Sequence, residues 1–273
     1  MKKKWLAGLA TIAAGALLLA GCGQKKETTL TVGASATPHA EILRHVEPQL
    51  KKEGVNLQVK TFQDYVLPNK ELASGDLDAN YFQHKPFLDN WNKKNHGTLV
   101  SAGNVHLEPI GFYSKKYKSL KDLPDGATIL VSNNVADYGR VLKILQDQGL
   151  ITLKPGTKLE SANFDDIQTN KKNLKFKHDL EPKLMTQFYK RGEGDAVVIN
   201  ANYAVQAGLN PKKDAIALEK NTSPYANLIA VQKGDQNKPA VKKLMKALQS
   251  KSTQQWINKH YKGGVVAVYP NGK

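Results

Sequence analysis

Several side chains in this 273-residue chain could do chemistry by their type and spacing. Asp76 and Asp78 would share one face of a strand and could imitate a catalytic acid pair, although turns use such carboxylates more often. His106 and Glu108, together with His84, are residue types that ligate zinc or manganese. No His-x-x-x-His or Glu-x-x-His spacing accompanies them. We therefore expect no metal site.

Other polar and aromatic residues gather in four clusters, two of which place an asparagine directly at a strand boundary; Asn200 and Asn227 each lie beside an apolar strand. The clusters are 62–69, 75–84, 133–140, and 198–203 together with 223–227. The chain has no Gly-x-Ser-x-Gly elbow, no Walker loop and no Gly-x-Gly-x-x-Gly fingerprint. We therefore expect neither enzyme activity nor a cofactor.

The charge balance is strongly basic, with 40 Lys and Arg against 24 Asp and Glu and a formal net charge of +16. Only Arg44, Arg140 and Arg191 are arginines, whereas nucleic-acid readers rely on arginine for bidentate and stacking contacts. The scattered lysines indicate a solvated surface, and we expect no nucleic-acid partner. The single cysteine excludes a disulfide framework.

The N-terminus has the pattern of a lipoprotein signal. Three lysines at 2–4 precede an apolar stretch at 5–20, and Leu-Ala-Gly-Cys follows at 19–22. The apolar stretch is short and ends abruptly, which favours a secretory signal over a membrane span. We predict a signal peptide at 1–21, lipidation of Cys22, and a tether at 22–29 that holds the protein to the membrane.

The elements that must position the clusters alternate between strand and helix. The periodicity predicts strands at 30–33, 55–59, 77–82, 127–132, 174–177, 196–199 and 227–231. It predicts helices at 38–53, 68–73, 85–95, 135–148, 181–190, 239–249 and 253–261. Two extended runs flank Glu108 and Pro109. This order predicts an α/β fold with two lobes, and parallel strands bind ligands beyond their carboxyl ends.

Short motifs in this order resemble the methionine-binding lipoprotein family, the NlpA-like substrate-binding components of methionine ABC importers. The motifs lie at 38–43, 64–65, 68–69, 78–80, 82–86, 139–140, 198–200, 224–225 and 227–229. The resemblance extends over about residues 30–268. It implies a two-lobe, type II-like periplasmic-binding-protein fold, with the ligand between the lobes and crossing strands near 106–113 and 225–230.

The resemblance also implies roles for six residues. Arg140 would bind the α-carboxylate of an amino acid through its bidentate fork. Asn200 and Asn227 would offer side-chain carbonyls to the ammonium group. An aromatic wall would receive the thioether, formed by Tyr65, Phe82 and His84. Each type also has an ordinary structural use: an exposed arginine, a turn asparagine, a core phenylalanine or a hydrogen-bonded histidine.

Two segments, 132–138 and 180–187, depart from the family pattern, and Asp137 adds a negative charge close to Arg140. Both segments are expected in the second lobe. Methionine of either hand, a methionine-containing dipeptide and other neutral amino acids therefore all stay open as ligands.

We predict a first lobe of residues 30–108 plus 228–273 and a second lobe of residues 109–227. The protein would be a monomer, lipid-anchored at the extracytoplasmic face of the cell membrane, that delivers its ligand to an ABC permease with ATPase subunits. Hinge closure would trap the ligand. Two alternatives are an adhesin or sensor that retains the fold, and a carrier of another solute such as a metal ion.

Overall fold

A computed structural model of the protein describes residues 27–220 and 225–268. The predicted signal peptide and Cys22 lie outside the described residues, so both stay predictions. None of the helices within the described ranges combines the length and the apolar character needed to cross a membrane.

A six-stranded sheet forms the first half of the molecule. Its order is β13-β4-β12-β3-β1-β2. Strand β1 runs parallel to β2 and β3, whereas β12 runs antiparallel to β3 and β4. The bounds are β1 Thr28–Ser35, β2 Val55–Phe62, β3 Ala79–His84, β4 Val100–Leu107, β12 Ala226–Val231 and β13 Val266–Ala267.

A five-stranded sheet forms the second half, in the order β11-β5-β10-β6-β9. Strands β6, β9 and β10 are parallel, and β5 runs antiparallel to β10 and β11. The bounds are β5 Gly111–Tyr113, β6 Thr128–Ser132, β9 Lys175–Leu180, β10 Ala196–Ile199 and β11 Ala217–Leu218. A separate antiparallel pair consists of β7 Ile151–Leu153 and β8 Ile167–Asn170.

Helices pack on both sheets. Their bounds are α1 Glu41–Lys52, α2 Leu67–Ser74, α3 Lys85–Asn95, α4 Tyr138–Asp147, α5 Met185–Arg191, α6 Ala201–Gln206, α7 Pro211–Asp214, α8 Pro239–Leu248 and α9 Lys251–Tyr261. Helix α1 buries Ile42, Leu43, Val46 and Leu50, a helical spacing that presents one apolar face to the first sheet. Helix α4 packs on the second sheet in the same way.

The two sheets draw on different parts of the chain. The strands of the first come from 28–107 and 226–267, and those of the second from 111–218. This division supports the proposed two lobes. The proposed boundary at 108/109 falls between β4 and β5, whereas the boundary at 227/228 falls inside β12 and leaves Asn227 in the first sheet.

Several elements differ from the sequence-based expectation. Val135 opens the helix predicted at 135–148, but it lies in a 3-10 turn, Val135–Asp137, and is 53% exposed. The cause is Asn134, whose side chain accepts the backbone N–H of Ala136 and caps this turn, so that α4 begins only at Tyr138. The prediction also missed the short elements β7, β8, β11, β13, α6 and α7.

Candidate functional site

A cleft lies where the carboxyl ends of the parallel strands of both sheets meet. The turns after β2, β3, β6 and β10 all reach it, as expected for a ligand site in an α/β protein. The cleft comprises about 350 Å³, part of it open to solvent. It is lined by Tyr65, Phe82, Gln83, His84, Phe87, Glu108, Asn134, Asp137, Arg140, Asn200, Ala201, Asn202 and Asn227.

All six residues proposed from the sequence line this one cleft, although they are spread over more than 160 positions of the chain. The first sheet and its loops contribute four, and the second sheet contributes two. Arg140, Phe82, His84 and Asn227 are buried, whereas Tyr65 and Asn200 are half-buried. Their proximity is an observation, and their roles toward a ligand stay a proposal.

Asp137 is the hub of the polar network in the cleft, a role that sequence reasoning missed. One of its oxygens, Oδ1, accepts hydrogen bonds from Arg140 Nη1 at 2.9 Å and His84 Nε2 at 3.1 Å. The other, Oδ2, accepts from Asn200 at 2.8 Å and Asn134 at 2.7 Å. Burial alone raises the pKa of this carboxyl group, but Arg140, His84 and Asn200 together hold it well below its usual range.

The guanidinium of Arg140 is 4% exposed and is held mainly by the protein itself. Its Nε atom donates to Glu219 Oε1 at 3.0 Å, and its Nη2 atom donates to Glu219 and to the backbone oxygen of Glu108. Burial lowers the pKa of Arg140, but Glu219 and Asp137 raise it by more than burial lowers it. The net effect is a raised pKa, so the guanidinium stays positively charged. In this structure most of the fork is engaged by protein acceptors, and contacts among the described residues leave one Nη1 hydrogen for a ligand.

Gly139 allows Arg140 to reach this position. A Cβ atom built on Gly139 would lie 1.7 Å from the backbone oxygen of Leu159, which no side chain could tolerate. The Gly-Arg pair thus combines close backbone packing with a buried cation.

The contacts of His84 define the tautomer of its neutral ring. Its Nδ1 atom accepts the backbone N–H of Phe87 at 3.2 Å and so caps helix α3. Because a backbone N–H can only donate, the ring hydrogen sits on Nε2 and points at Asp137. His84 is therefore a hydrogen-bonded structural histidine that also borders the cleft. The sequence left open whether it is structural or part of the cleft wall, and its position is compatible with both.

Aromatic rings form an apolar wall on the side of the first sheet. The ring of Tyr65 lies 6.0 Å from the rings of Phe82 and Phe87, and those two lie 5.5 Å from each other. Phe87 was not proposed from the sequence. Its position one turn into α3, beside His84, is the signal that could have identified it.

Hydrogen bonds also join the two sides of the cleft. The hydroxyl of Tyr65 donates to Asn202 Oδ1 at 2.7 Å, and that of Tyr203 donates to the backbone oxygen of Gln63 at 3.1 Å. The two segments that depart from the family pattern meet at the mouth, where the Asn133 N–H donates to the Leu180 oxygen at 2.7 Å. They border an open groove that shares Tyr65, Phe87 and Asn134 with the cleft.

Comparisons with known proteins agree with this arrangement. The family model described as NlpA lipoprotein matches residues 30–269. The chain belongs to the NlpA lipoprotein family. A methionine-binding lipoprotein from Bacillus subtilis, MetQ, is 50% identical over 98% of this chain and 99% of its own.

Solved structures of similar proteins share the fold of this chain. A pheromone cOB1 precursor/lipoprotein of the YaeC family from Enterococcus faecalis is 60% identical, with a TM-score of 0.86 over 88% of this chain and 100% of that one. A nutrient binding protein from Burkholderia cenocepacia bound to methionine is 48% identical, with a TM-score of 0.83 over 88% and 100%. The fold is mixed α/β, as predicted, and the Bacillus subtilis and Burkholderia cenocepacia relatives are named for binding rather than for a reaction.

Beneath the cleft of this NlpA lipoprotein, a buried amide cluster explains several of its motifs. Asn69 donates to Gln83 Oε1 at 2.9 Å and accepts from Asn80 at 2.7 Å. Asn80 also donates to the backbone oxygen of Pro68 at 3.1 Å. These motif residues join α2 to β3 and support the aromatic wall. Of the three, Gln83 also lines the cleft, whereas Asn69 and Asn80 do not.

The metal candidate of the sequence analysis assembles differently from the prediction. His106 and Glu108 do meet, but the third member is His39, whereas His84 pairs with Asp137. Both Nε2 atoms face one oxygen, Glu108 Oε1, at 2.7 Å from His106 and 3.1 Å from His39. These are hydrogen-bond distances, and an ion with bonds of about 2.0–2.2 Å would need its ligands further apart. The donors therefore fit a hydrogen-bond network better than a metal site.

Proposed function

We propose that this NlpA lipoprotein binds methionine or a close relative in the cleft and delivers it to an ABC permease. The observation that carries the proposal is the cleft itself, which combines a buried cation, amide groups and an aromatic wall within a fold shared with a methionine-bound relative. No bond is made or broken in this function.

The α-ammonium group of the ligand would bind at Asn200. Because Asn200 donates its Nδ2 to Asp137 Oδ2, its carbonyl oxygen is the atom left to accept a hydrogen bond. Asp137 and Glu219 together carry one negative charge more than Arg140, which favours a cation nearby. The remaining Nη1 hydrogen of Arg140 would bind the α-carboxylate.

The thioether would lie against the rings of Tyr65, Phe82 and Phe87. Sulfur atoms interact favourably with aromatic rings at about 5 Å, and a flexible thioether can fill an irregular apolar space. The open groove beyond Tyr65 keeps a methionine-containing dipeptide as an alternative ligand, because a second residue would extend into it.

Closure of the lobes would trap the ligand. Hydrogen bonds such as that between Tyr65 and Asn202 cross the cleft, and a ligand that touches both sides would add to them and so favour the closed state. A lipid at Cys22 would hold the protein at the extracytoplasmic face, close to its permease, and the protein would act as a monomer.

Thermal unfolding with a ligand panel tests this function. The protein is unfolded and refolded to strip carried-over ligand, and then mixed with L-methionine, D-methionine, Gly-Met and other neutral amino acids. A ligand at about a hundred times its Kd stabilises the fold by about 2.7 kcal/mol. For a chain of this size we expect Tm to rise by about 5–10 °C. No shift with any compound would contradict the proposal and favour the adhesin or sensor.

A further inference from the structure

A chain of buried polar contacts, hydrogen bonds except for the close approach of His39 to Glu108, lies behind the cleft and ends at Asn227. It connects Tyr81, His106, Glu108, His39 and Asn227, which come from five different strands or loops. All five are at most 8% exposed. Only Glu108 and Asn227 also line the cleft, so the other three can affect a ligand only through them.

The contacts of His39 determine which of its nitrogens carries the hydrogen. Its Nε2 atom lies 3.1 Å from Glu108 Oε1 and 3.1 Å from Asn227 Oδ1, and both are acceptors. Its Nδ1 atom is buried and has no partner among the described residues. Since an unpaired buried N–H is costly, the hydrogen of the neutral ring belongs on Nε2. Burial lowers the pKa of His39 to about 4, which keeps the ring neutral near pH 7.

This hydrogen fixes the orientation of the Asn227 amide. The Nε2–H group of His39 donates to Asn227 Oδ1, so Nδ2 must point away from His39. Within the described residues Nδ2 forms no hydrogen bond, and Asn227 lines the cleft. Asn227 therefore presents a donor to the cleft, whereas the resemblance implied a carbonyl for the ammonium group.

Glu108 connects this arrangement with the other side of the cleft. Its Oε2 atom accepts the backbone N–H of Asn202 at 3.1 Å, and its backbone oxygen accepts from Arg140 Nη2 at 2.6 Å. Arg140 and Asn227 are thus linked through Glu108 and His39. A cation and an amide donor at the two ends of this link suit an anionic group of a ligand.

We propose that His39, held by Glu108, is a positioning residue that turns the Asn227 amide so that Nδ2 donates to the α-carboxylate of the bound amino acid. This inference rests on the proposed function, because it assigns part of the same ligand site.

The first test exchanges the donor at Asn227. Asn227→Asp replaces the donor by an oxygen, so we expect methionine affinity to fall at least tenfold and below that of Asn227→Ala. The probe 3-(methylthio)propylamine, which is methionine without its carboxylate, should bind Asn227→Asp at least as well as it binds the wild type. If Asn227→Asp retains or gains methionine affinity, Asn227 binds the ammonium group and the proposal is wrong.

The second test separates positioning from a general structural role. His39→Leu should weaken methionine binding at least tenfold, whereas His39→Gln, which keeps an N–H near the Nε2 position, should stay within about threefold of the wild type. In an Asn227→Ala background, His39→Leu should change affinity less than twofold. A further loss of tenfold there would show that His39 does not act through Asn227. Urea unfolding of each variant confirms that it is folded.

The tautomer of His39 can also be tested by NMR spectroscopy, without any ligand. The ¹⁵N shifts of the imidazole in the protein should report His39 as the neutral Nε2–H form, and the Nδ1–H form would overturn the proposal. A wild-type protein that binds no methionine while showing the Nε2–H form would instead overturn the proposed function and, with it, the carboxylate assignment.

Discussion

The Nε2 atom of His84 lies 3.1 Å from Oδ1 of Asp137, and this bond joins the end of β3 in the first sheet to the turn that follows β6 in the second. Both side chains are almost fully buried. Asp137 also accepts hydrogen bonds from Arg140 and Asn200. One carboxylate therefore organises the polar side of the cleft and also connects the two sheets.

Removal of Asp137 should therefore be costly. Asp137→Ala leaves the buried Arg140 with one partner fewer, and loss of one member of a buried ion pair costs about 3–5 kcal/mol. We expect urea unfolding to show a loss of this size. Asp147→Ala, which removes a more exposed carboxylate paired with Lys143, should stay within about 0.5 kcal/mol of the wild type. Equal losses in the two variants would contradict the account.

Gly139 should not tolerate a side chain. Gly139→Ala places a methyl group against the backbone oxygen of Leu159, and we expect it to destabilise the fold by about 1–3 kcal/mol or more. Gly126→Ala is the matched control, since its surroundings are open and only its positive φ of 73° opposes alanine. The left-handed conformation of an alanine there should cost about 1–2 kcal/mol. A smaller cost at Gly139 than at Gly126, measured by denaturant unfolding, would show that Leu159 moves away easily.

Acid should destabilise the protein through its buried histidines. Burial lowers the pKa of His39 to about 4 and that of His106 to about 3, against 6.5 for a free histidine. Between about pH 4 and 6.5 the unfolded chain binds more protons than the folded one, so the unfolding free energy falls as the pH drops. Each histidine contributes a slope of up to about 1.4 kcal/mol per pH unit. Burial raises the pKa of Glu108, which opposes this slope above about pH 4.5.

Urea unfolding between pH 7 and pH 4.5 measures this slope. His39→Gln should show a shallower fall in stability than the wild type, because one of the buried histidines is gone. His96→Gln, at an exposed position, should leave the slope unchanged. A wild-type slope that persists in His39→Gln would exclude His39 as a source of the acid sensitivity.

The hydroxyl of Tyr65 should contribute to ligand affinity more than to folding. Tyr65→Phe removes a hydrogen bond to Asn202 that crosses the cleft, worth about 0.5–1.5 kcal/mol. We expect methionine Kd to rise by about 2–13-fold with little change in the Tm of the stripped protein. Tyr117→Phe, whose hydroxyl forms no hydrogen bond with the described residues, should leave Kd unchanged. An unchanged Kd in Tyr65→Phe would mean that the contact does not contribute to closure.

Patterns that depend on local sequence and simple burial were predictable. The apolar run of β10, Ala196–Ile199, and helix α3, Lys85–Asn95, match their predicted bounds to the residue. Helix α3 is bounded by signals next to it in the chain, since Pro86 favours a helix start and His84 caps it. The strand ends that converge on the cleft follow from the alternation of strands and helices.

Relationships between distant residues were not predictable in the same way. Asp137 was noted only as a charge near Arg140, because two of its other partners, His84 and Asn200, lie 53 and 63 positions away along the chain. His39 lies within a motif that the sequence analysis quoted, but its effect on Asn227 depends on a contact across 188 positions. Side-chain orientation of this kind is set by tertiary packing.

Isothermal titration of L-methionine into stripped protein tests the central claim most directly, with Asn200→Ala as the companion variant. Because alanine at Asn200 also removes a hydrogen bond to Asp137 Oδ2, urea unfolding of the variant is measured alongside to confirm that it is folded. We predict saturable one-to-one binding to the wild type, and at least about tenfold weaker binding to Asn200→Ala, since a hydrogen bond to a charged group contributes about 1.5–3 kcal/mol. Absence of saturable heat with the wild type, or equal affinity in the two proteins, would contradict methionine binding in this cleft.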